Sequence, residues 1–192
     1  GRDVLARILI AGRVSLAVGI VAAGISAVIG TVIGLVSGYA GGWIDEILQR
    51  FTELIMTFPT FFAILILVAI VGPSVWNIMV IIGILGWTGK ARLVRGQVLS
   101  LREMDYVTAS KVLGSTETRT LFVSILPGVI PYVLVSSTLT VAGAILTEAS
   151  LSFLGIGVQV PTATWGNMMN AAQGIFILSE MPWIWVPPGL AI

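Results

Sequence analysis

The sequence predicts an all-α fold, a polytopic bundle of transmembrane helices. Hydrophobic residues make up 57% of the 192 residues and charged residues only 10%, whereas a soluble domain has about 25% charged residues. Several charge-free stretches are also long enough to cross a bilayer, which takes about 20 helical residues. We therefore interpret residues 1–192 as a single transmembrane domain with about five spans.

The charge-free stretches give the first spans in order. Residues 14–40 carry no charge and predict the first span. Residues 54–89 carry none either, but they are too long for one untilted helix, and Gly72-Pro73-Ser74 breaks them. We therefore predict a second span over about 51–71 and a third over about 74–94.

The second half of the chain is less regular. Charge-free residues 120–147 predict a fourth span that begins at about Pro127. Residues 155–181 are rich in glycine and amide side chains, which favours a loop or a re-entrant segment. A fifth, truncated span begins near Trp183. Because the chain also starts with Gly1 rather than Met, we expect a fragment that lacks an N-terminal helix and the C-terminal end.

The distribution of Lys and Arg predicts the orientation, because cytoplasmic loops carry an excess of both. Six of these residues lie between the third and fourth spans: Lys90, Arg92, Arg95, Arg102, Lys111 and Arg119. Loop 155–181 has none. We therefore predict that 90–126 is cytoplasmic and 155–181 extracytoplasmic. Residues 1–13, with Arg2, Arg7 and Arg13, would then lie outside against the rule, or flat at the membrane interface.

Residues 103–126 form a polar island in this hydrophobic chain. Asp105 can cap a short helix, Gly114 suits the left-handed position that ends it, and Ser115 can cap a second short helix. The less polar side chains of the first helix recur on one face: Tyr106, Ala109 and Val112/Leu113. Such short helices are unstable alone in water. Either a soluble partner docks on them, or they pack as an ordinary interfacial loop on their own bundle.

Two patterns inside the spans concern helix packing. Gly30, Gly34 and Gly38 lie on one face of the first span, and small residues four apart allow close helix approach in lipid. They could contact another helix that slides past them, or pack statically within this chain. Phe58-Pro59 should kink the second span because proline removes a helix hydrogen bond. The kink could be a hinge or a fixed bend.

Three residues are candidates for the outer end of the pathway. Glu148 is a charge expected near the outer end of its span, where it could face the pathway or form a structural tie. Trp165 and Asn167 lie in the 155–181 loop, which could face an extracytoplasmic partner, cap the pathway or form a packed plug.

Enzyme chemistry has no support in the sequence. The chain has no His and no Cys, the residues of most thiol and metal chemistry. It also lacks a Gly-x-x-x-x-Gly-Lys phosphate loop, so this chain itself should bind no ATP. A net charge of +1 provides no field that attracts nucleic acid. We expect no catalytic residue, no metal site and no cofactor bound by this chain.

The polar island carries a family resemblance. Thr108-Ala109-Ser110-x-x-x-Gly114, followed by Ser124-Ile-Leu126-Pro127, resembles the EAA loop of binding-protein-dependent ABC importer permeases. Thr108 stands where the consensus has Glu, a position often changed in the dipeptide/oligopeptide/nickel subfamily. Other stretches similar to that subfamily, and to its C-type subunit, are 1–7, 12–16, 38–45, 105–110, 148–155, 161–166 and 188–192.

The resemblance implies a permease subunit of an ATP-driven importer of di- or oligopeptides, or alternatively of nickel. Its partners would be a second permease subunit, cytoplasmic ATPase subunits that bind ATP, and an extracytoplasmic substrate-binding protein. The implied coupling residues are Asp105, Tyr106, Thr108, Ala109, Ser110, Gly114, Leu126 and Pro127. A rival of another class is an ATP-independent channel or secondary carrier.

Overall fold

A computed structural model describes residues 3–192. The expectation for Arg2 therefore lies outside the described residues. Over 3–192 the chain is helical and contains no strand, which confirms the all-α prediction. The helices are α1 (Val4–Ala40), α2 (Gly42–Thr57), α3 (Thr60–Val71), α4 (Val75–Leu85), α5 (Thr88–Leu101), α6 (Asp105–Val112), α7 (Glu117–Arg119), a π-helical turn (Thr120–Ile125), α8 (Leu126–Phe153), α9 (Trp165–Asn170), α10 (Ile175–Glu180) and α11 (Pro182–Ala191).

Helix α1 begins earlier than the charge pattern predicts. The Oδ1 atom of Asp3 accepts hydrogen bonds from the backbone N–H groups of Leu5 (2.9 Å) and Ala6 (3.2 Å), which is a side-chain cap at the start of a helix. The 37 residues of α1 extend over about 55 Å, more than the roughly 30 Å hydrocarbon core requires. Residues 4–13 are thus part of α1 and form no separate interfacial helix.

Three helical stretches within residues 3–192 are long and apolar enough to cross a membrane: Val4–Ala40, Val75–Leu101 and Glu117–Phe153. Helices α2 and α3 are long and apolar enough to cross a membrane only if they are counted as one bent span, which would make four spans. Helix α11 has ten residues, too few to span by itself. The predicted multi-span bundle is confirmed, and its count of about five is close to the three or four observed.

Two predicted spans are interrupted. The break at Gly72-Pro73-Ser74 is observed, and Gly72 has the left-handed φ of 103° that glycine tolerates. The expected kink at Pro59 is instead a complete break, because α2 ends at Thr57 and Phe58 is extended (φ −82°, ψ 134°). A turn at Gly86 and Trp87 also separates α4 from α5.

The chain divides into two compact units. One comprises residues 3–23, 60–83 and 140–192, and the other comprises residues 24–59 and 84–139. In the first unit, α1 and α8 lie so close at Gly19 that an added Cβ would meet Ile145 Cγ1 and Val141 Cγ1 at 2.9 Å. Small residues permit such close approach between membrane helices.

The second unit has a well-defined apolar core. Its buried members come from α1, α5, α6, the π-helical turn and α8: Leu35, Val94, Val98, Val107, Ile125 and Val129. Tyr39, Leu101, Leu121, Leu126 and Val133 are partly buried against them. This core therefore joins the polar island to the parts of the long helices that belong to the same unit.

Candidate functional site

The turn at Gly114 has the geometry that the sequence predicts. Gly114 has φ +85°, its N–H donates to Lys111 O (2.9 Å), and the N–H of Ser115 donates to Ser110 O (3.1 Å). These two bonds form a Schellman motif, which ends a helix at a left-handed residue. An added Cβ at Gly114 would meet nothing within 4 Å. The requirement for glycine thus comes from backbone conformation and not from lack of space.

The helix caps of the island differ from the predicted ones. Met104, with extended backbone angles, occupies the cap position of α6, and Asp105 lies in the first turn without a capping hydrogen bond. Thr116 caps α7, because its hydroxyl accepts a hydrogen bond from Arg119 N (3.3 Å). The predicted cap, Ser115, instead bonds to the Ser110 hydroxyl (3.0 Å). Asp105 in the first turn of α6 and Glu117 in the first turn of α7 still interact favourably with the helix dipoles.

One side chain fixes α6 to the bundle. Val107 is the single buried residue of this helix, all of which the structure describes, and it enters the core beside Leu35, Val98 and Ile125. Its burial is not evident from the sequence, because the periodicity of α6 points to the neighbouring face. The alternative that the island packs on its own bundle is therefore correct for this face of α6.

The opposite face of α6 and the residues after it are exposed. Tyr106 is 50% exposed, Val112 82% and Leu113 86%. Thr108 and Ala109 are also exposed, and Ser110 is half-buried. Exposed apolar side chains that cluster on a surface often mark a site of interaction. The structure brings these predicted residues together on one solvent-accessible face.

No break separates the island from the next span. The helix runs through α7, the π-helical turn and α8 without interruption from Glu117 to Phe153. The predicted helix after Gly114 is therefore present, but it continues directly into the fourth span, which begins before Leu126-Pro127. Leu126 N donates to Leu121 O, five residues back, and this wider turn lies where the ring of Pro127 would otherwise crowd the preceding turn.

The glycine stripe of α1 packs within this chain. An added Cβ would lie 2.6 Å from Lys90 Cβ at Gly30, 2.6 Å from Ala91 O at Gly34 and 2.8 Å from Val98 Cβ at Gly38. All three glycines thus face α5, which agrees with packing within this chain, and a sliding role for the stripe stays a prediction. Lys90 is buried in this contact and donates to the Ser26 hydroxyl (2.9 Å).

A salt bridge joins α2 to α5 in the same unit. The Nε and Nη2 atoms of Arg95 donate to Oδ1 (2.6 Å) and Oδ2 (2.7 Å) of Asp45. The hydroxyl of Ser37 on α1 donates to the same carboxylate. The sequence does not predict this pair, because a lone Asp and a lone Arg 50 positions apart carry no local signal. Bidentate pairs of this kind fix geometry as well as charge.

Glu148 is fully buried and forms a structural tie. Its Oε2 accepts a hydrogen bond from the hydroxyl of Ser15 on α1 (3.2 Å), and its Oε1 accepts one from the hydroxyl of Ser152 (2.7 Å). Each serine oxygen also accepts a backbone N–H of the 155–181 loop region: Trp165 N donates to Ser15 (3.3 Å) and Val158 N to Ser152 (3.0 Å). This network connects α1, α8 and the loop.

Trp165 and Asn167 hold the loop rather than project from it. The indole Nε1 of Trp165 donates to Ile8 O (3.2 Å). Asn167 and Thr164 bond reciprocally in a capping box at the start of α9, and Asn167 Nδ2 also donates to Thr162 O. These contacts agree with the packed-plug alternative. A role as an outer gate stays a prediction.

The described residues contain no cluster of three or more His, Cys, Asp or Glu side chains that could hold a metal ion. The candidate site consists of the α6 surface, its apolar anchor and the polar ties around it.

The chain is similar in sequence to known membrane components of transport systems. Residues 30–187 match the model of a family described as "Binding-protein-dependent transport system inner membrane component". A Brucella ovis protein with a provisional peptide-permease name is 43% identical over 192 residues, which are 100% of this chain and 64% of that protein. The oligopeptide transport system permease protein OppC of Bacillus subtilis is 40% identical over 190 residues, 98% of this chain and 62% of that protein.

A third relative is the dipeptide transport system permease protein DppC of Bacillus subtilis. It is 43% identical over 170 residues, 88% of this chain and 53% of that protein. These names confirm the expected dipeptide/oligopeptide resemblance and the C-type subunit. They also belong to transport components and not to enzymes. The chain spans less than two thirds of the length of these three relatives.

Proposed function

Because this chain belongs to the family of binding-protein-dependent transport system inner membrane components, we propose that it forms the membrane-spanning part of a permease subunit in an ATP-driven peptide importer. One observation carries the proposal. Helix α6 is anchored to the core by Val107 alone, while Tyr106, Ala109 and Val112 remain exposed beside it. A soluble ATPase subunit would dock on this exposed surface.

The anchor suggests how docking would act on the membrane helices. Val107 packs in one core with residues of α1, α5 and α8, and packed protein interiors transmit displacement because they are dense. When ATP brings the ATPase subunits together, α6 would move with them. The parts of α1, α5 and α8 that share its core would follow, and the pathway would change the side to which it opens.

The substrate class rests on the named relatives. Their names refer to peptide, oligopeptide and dipeptide transport, which favours di- or oligopeptides for this chain. The nickel alternative has no specific support from them. A second permease subunit and an extracytoplasmic substrate-binding protein would complete the importer.

The chain is a multi-pass inner-membrane protein. For its orientation we propose a cytoplasmic location for residues 90–126 and an extracytoplasmic one for 155–181, because Lys and Arg concentrate in the first segment and are missing from the second. This orientation directs the exposed face of α6 to the compartment that holds ATP.

An ATP-independent channel or carrier is the rival from another class. Such proteins commonly use ionisable side chains inside the membrane as part of the pathway. Glu148 and Lys90 are the buried charged residues of the described chain, and both engage serine hydroxyls within their own units. That engagement favours structural roles for both.

A photo-crosslinking experiment tests the docking proposal. A photoreactive amino acid replaces Ala109 in the full-length protein in cells, and Val135, a 66% exposed residue of α8, receives the same amino acid as the control. We expect position 109 to capture an ATPase subunit and position 135 to capture none. Capture of lipid alone, or of this same chain alone, at position 109 would contradict the proposal.

A further inference from the structure

Two contacts meet at Tyr39, close to the end of α1, and a third joins the two residues that it contacts. The phenolic hydroxyl donates a hydrogen bond to Glu117 Oε2. The ammonium group of Lys111 lies 5.0 Å from the centre of the Tyr39 ring, within the range of a cation–π interaction. Lys111 Nζ also lies 3.8 Å from Glu117 Oε2. The three side chains therefore form a closed triangle, which we name the Tyr39 clamp.

The clamp joins both sides of the Gly114 turn to α1. Lys111 belongs to the last turn of α6, before Gly114, and Glu117 is the first residue of α7, after it. Tyr39 is one residue from the end of α1 and is also partly buried against the core that holds Val107. One aromatic residue thus contacts the core with its ring and both arms of the turn with its ring and hydroxyl.

The apolar anchor alone does not determine the angle of α6. A helix held by one buried side chain can rock about that contact. Lys111 on α6 and Glu117 on α7 add two further contacts to Tyr39 on α1. Each contact is weak by itself, because Lys111 and Glu117 are largely exposed. Together they restrain the turn because each residue contacts the other two.

We propose that Tyr39 is a positioning residue that locks the α6–Gly114–α7 segment to the end of α1, so that the segment and the helix move together. This inference rests on the proposed ATPase docking for its functional consequence. A free hinge at this point would let α6 follow an ATPase without moving α1. The clamp removes that freedom and so determines how much transport each ATP produces.

Tyr39→Phe is the most specific test of the clamp, because it removes only the hydroxyl and keeps the ring that contacts Lys111 and the core. Tyr132→Phe is the matched control, since it makes the same chemical change in α8, outside the clamp. Glu117→Gln provides a second test. The Glu117 side chain is 73% exposed, so its replacement leaves the apolar core intact even if a change at Tyr39 were to impair folding.

The first measurement is structural and uses the assembled transporter in nanodiscs. Residues 1–192 contain no Cys, so cysteines at Val112 and Val32 add two spin-label sites to this segment, and any native Cys elsewhere in the complex is first replaced by Ser. Both positions are exposed, 82% and 55%. We expect a narrow distance distribution that broadens in Tyr39→Phe and Glu117→Gln and stays unchanged in Tyr132→Phe. An unchanged distribution in both clamp variants would overturn the clamp, whatever the transporter carries.

The second measurement is the number of ATP molecules hydrolysed per peptide imported, in proteoliposomes, by complexes that carry the clamp substitutions but no spin-label cysteines. We expect this ratio to rise about two- to fivefold in Tyr39→Phe, the range expected when a largely solvent-exposed interaction with a charged group is lost. A broadened distance distribution with an unchanged ratio would overturn the positioning role. If the unaltered complex hydrolyses ATP without importing peptide, the proposed function fails, while the distance measurement still decides the clamp.

Discussion

Asp45 of α2 and Arg95 of α5 form a two-pronged salt bridge, with Nε–Oδ1 and Nη2–Oδ2 distances of 2.6 and 2.7 Å. Their side chains are 16% and 30% exposed. A second ion pair of the same unit, Arg50 and Glu53, is separated by 3.4 Å with side chains that are 75% and 57% exposed. The two pairs offer a direct comparison of a partly buried and an exposed interaction.

We expect a double-mutant cycle on Asp45→Asn and Arg95→Met to give a coupling free energy of about 1–2 kcal/mol, because the pair is bidentate and partly removed from water. The matching cycle on Glu53→Gln and Arg50→Met should give about 0–0.5 kcal/mol. Denaturant-dependent unfolding of the purified permease in detergent measures both. Equal coupling in the two cycles would contradict the assignment of Asp45–Arg95 as the stronger tie.

Gly34 provides a test of the helix contact. A Cβ there would lie 2.6 Å from both Ala91 O and Val94 Cβ, whereas at Gly24 of the same helix it would meet nothing within 4 Å. We expect Gly34→Ala to destabilise the protein by about 1–3 kcal/mol through overpacking. Gly24→Ala should be neutral or slightly stabilising because alanine is the better helix former. Unfolding midpoints in detergent compare the two, and equal midpoints would rule out the close α1–α5 contact.

Glu148 tests the tie between α1, α8 and the 155–181 loop. Glu148→Ala removes the acceptor of the Ser15 and Ser152 hydroxyls, and unsatisfied buried polar groups cost about 1–3 kcal/mol each. We expect faster proteolysis of the loop in Glu148→Ala and a smaller effect in Glu148→Gln, which keeps one oxygen acceptor. Glu180→Ala, at an exposed site, is the control. Loop proteolysis at the unaltered rate in Glu148→Ala would show that the network does not hold the loop.

Substitutions at Gly114 test the proposed coupling role of the Gly114 turn through its backbone conformation. Its φ of +85° is tolerated by glycine and by asparagine, whereas a left-handed residue with a Cβ costs about 1–2 kcal/mol. We expect Gly114→Val to insert normally in the membrane but to uncouple ATP hydrolysis from uptake, and Gly114→Asn to retain most coupling. Gly96→Val, at an exposed position of α5 with nothing within 4 Å of an added Cβ, controls for bulk. Normal uptake by Gly114→Val would contradict the account of the turn.

The sequence predicted the features that depend on local chemistry. The long apolar stretches, the break after Gly72 and the left-handed Gly114 each follow from the residues at those positions, and the structure agrees with all of them. The Gly30–Gly38 stripe was also predicted to be a packing surface, and it packs against α5.

Features that depend on distant residues were not predictable in this way. Val107 is buried because Leu35 and Ile125 surround it, and nothing in residues 105–112 distinguishes it from Val112, which is 82% exposed. The continuity of the helix through Pro127 depends on the π-helical turn before it. Tyr39 and Glu117 are 78 positions apart, so their contact has no signature in the sequence.

The central claim is that ATP hydrolysis by docked subunits drives peptide uptake through this chain. The most direct measurement reconstitutes the full-length transporter with its ATPase subunits and binding protein in proteoliposomes, and follows peptide accumulation with ATP, without ATP, and with ATP but without the ATPase subunits. We predict accumulation against a gradient only in the first condition. Peptide uptake of equal rate in all three conditions would contradict the account and would support a channel or carrier instead.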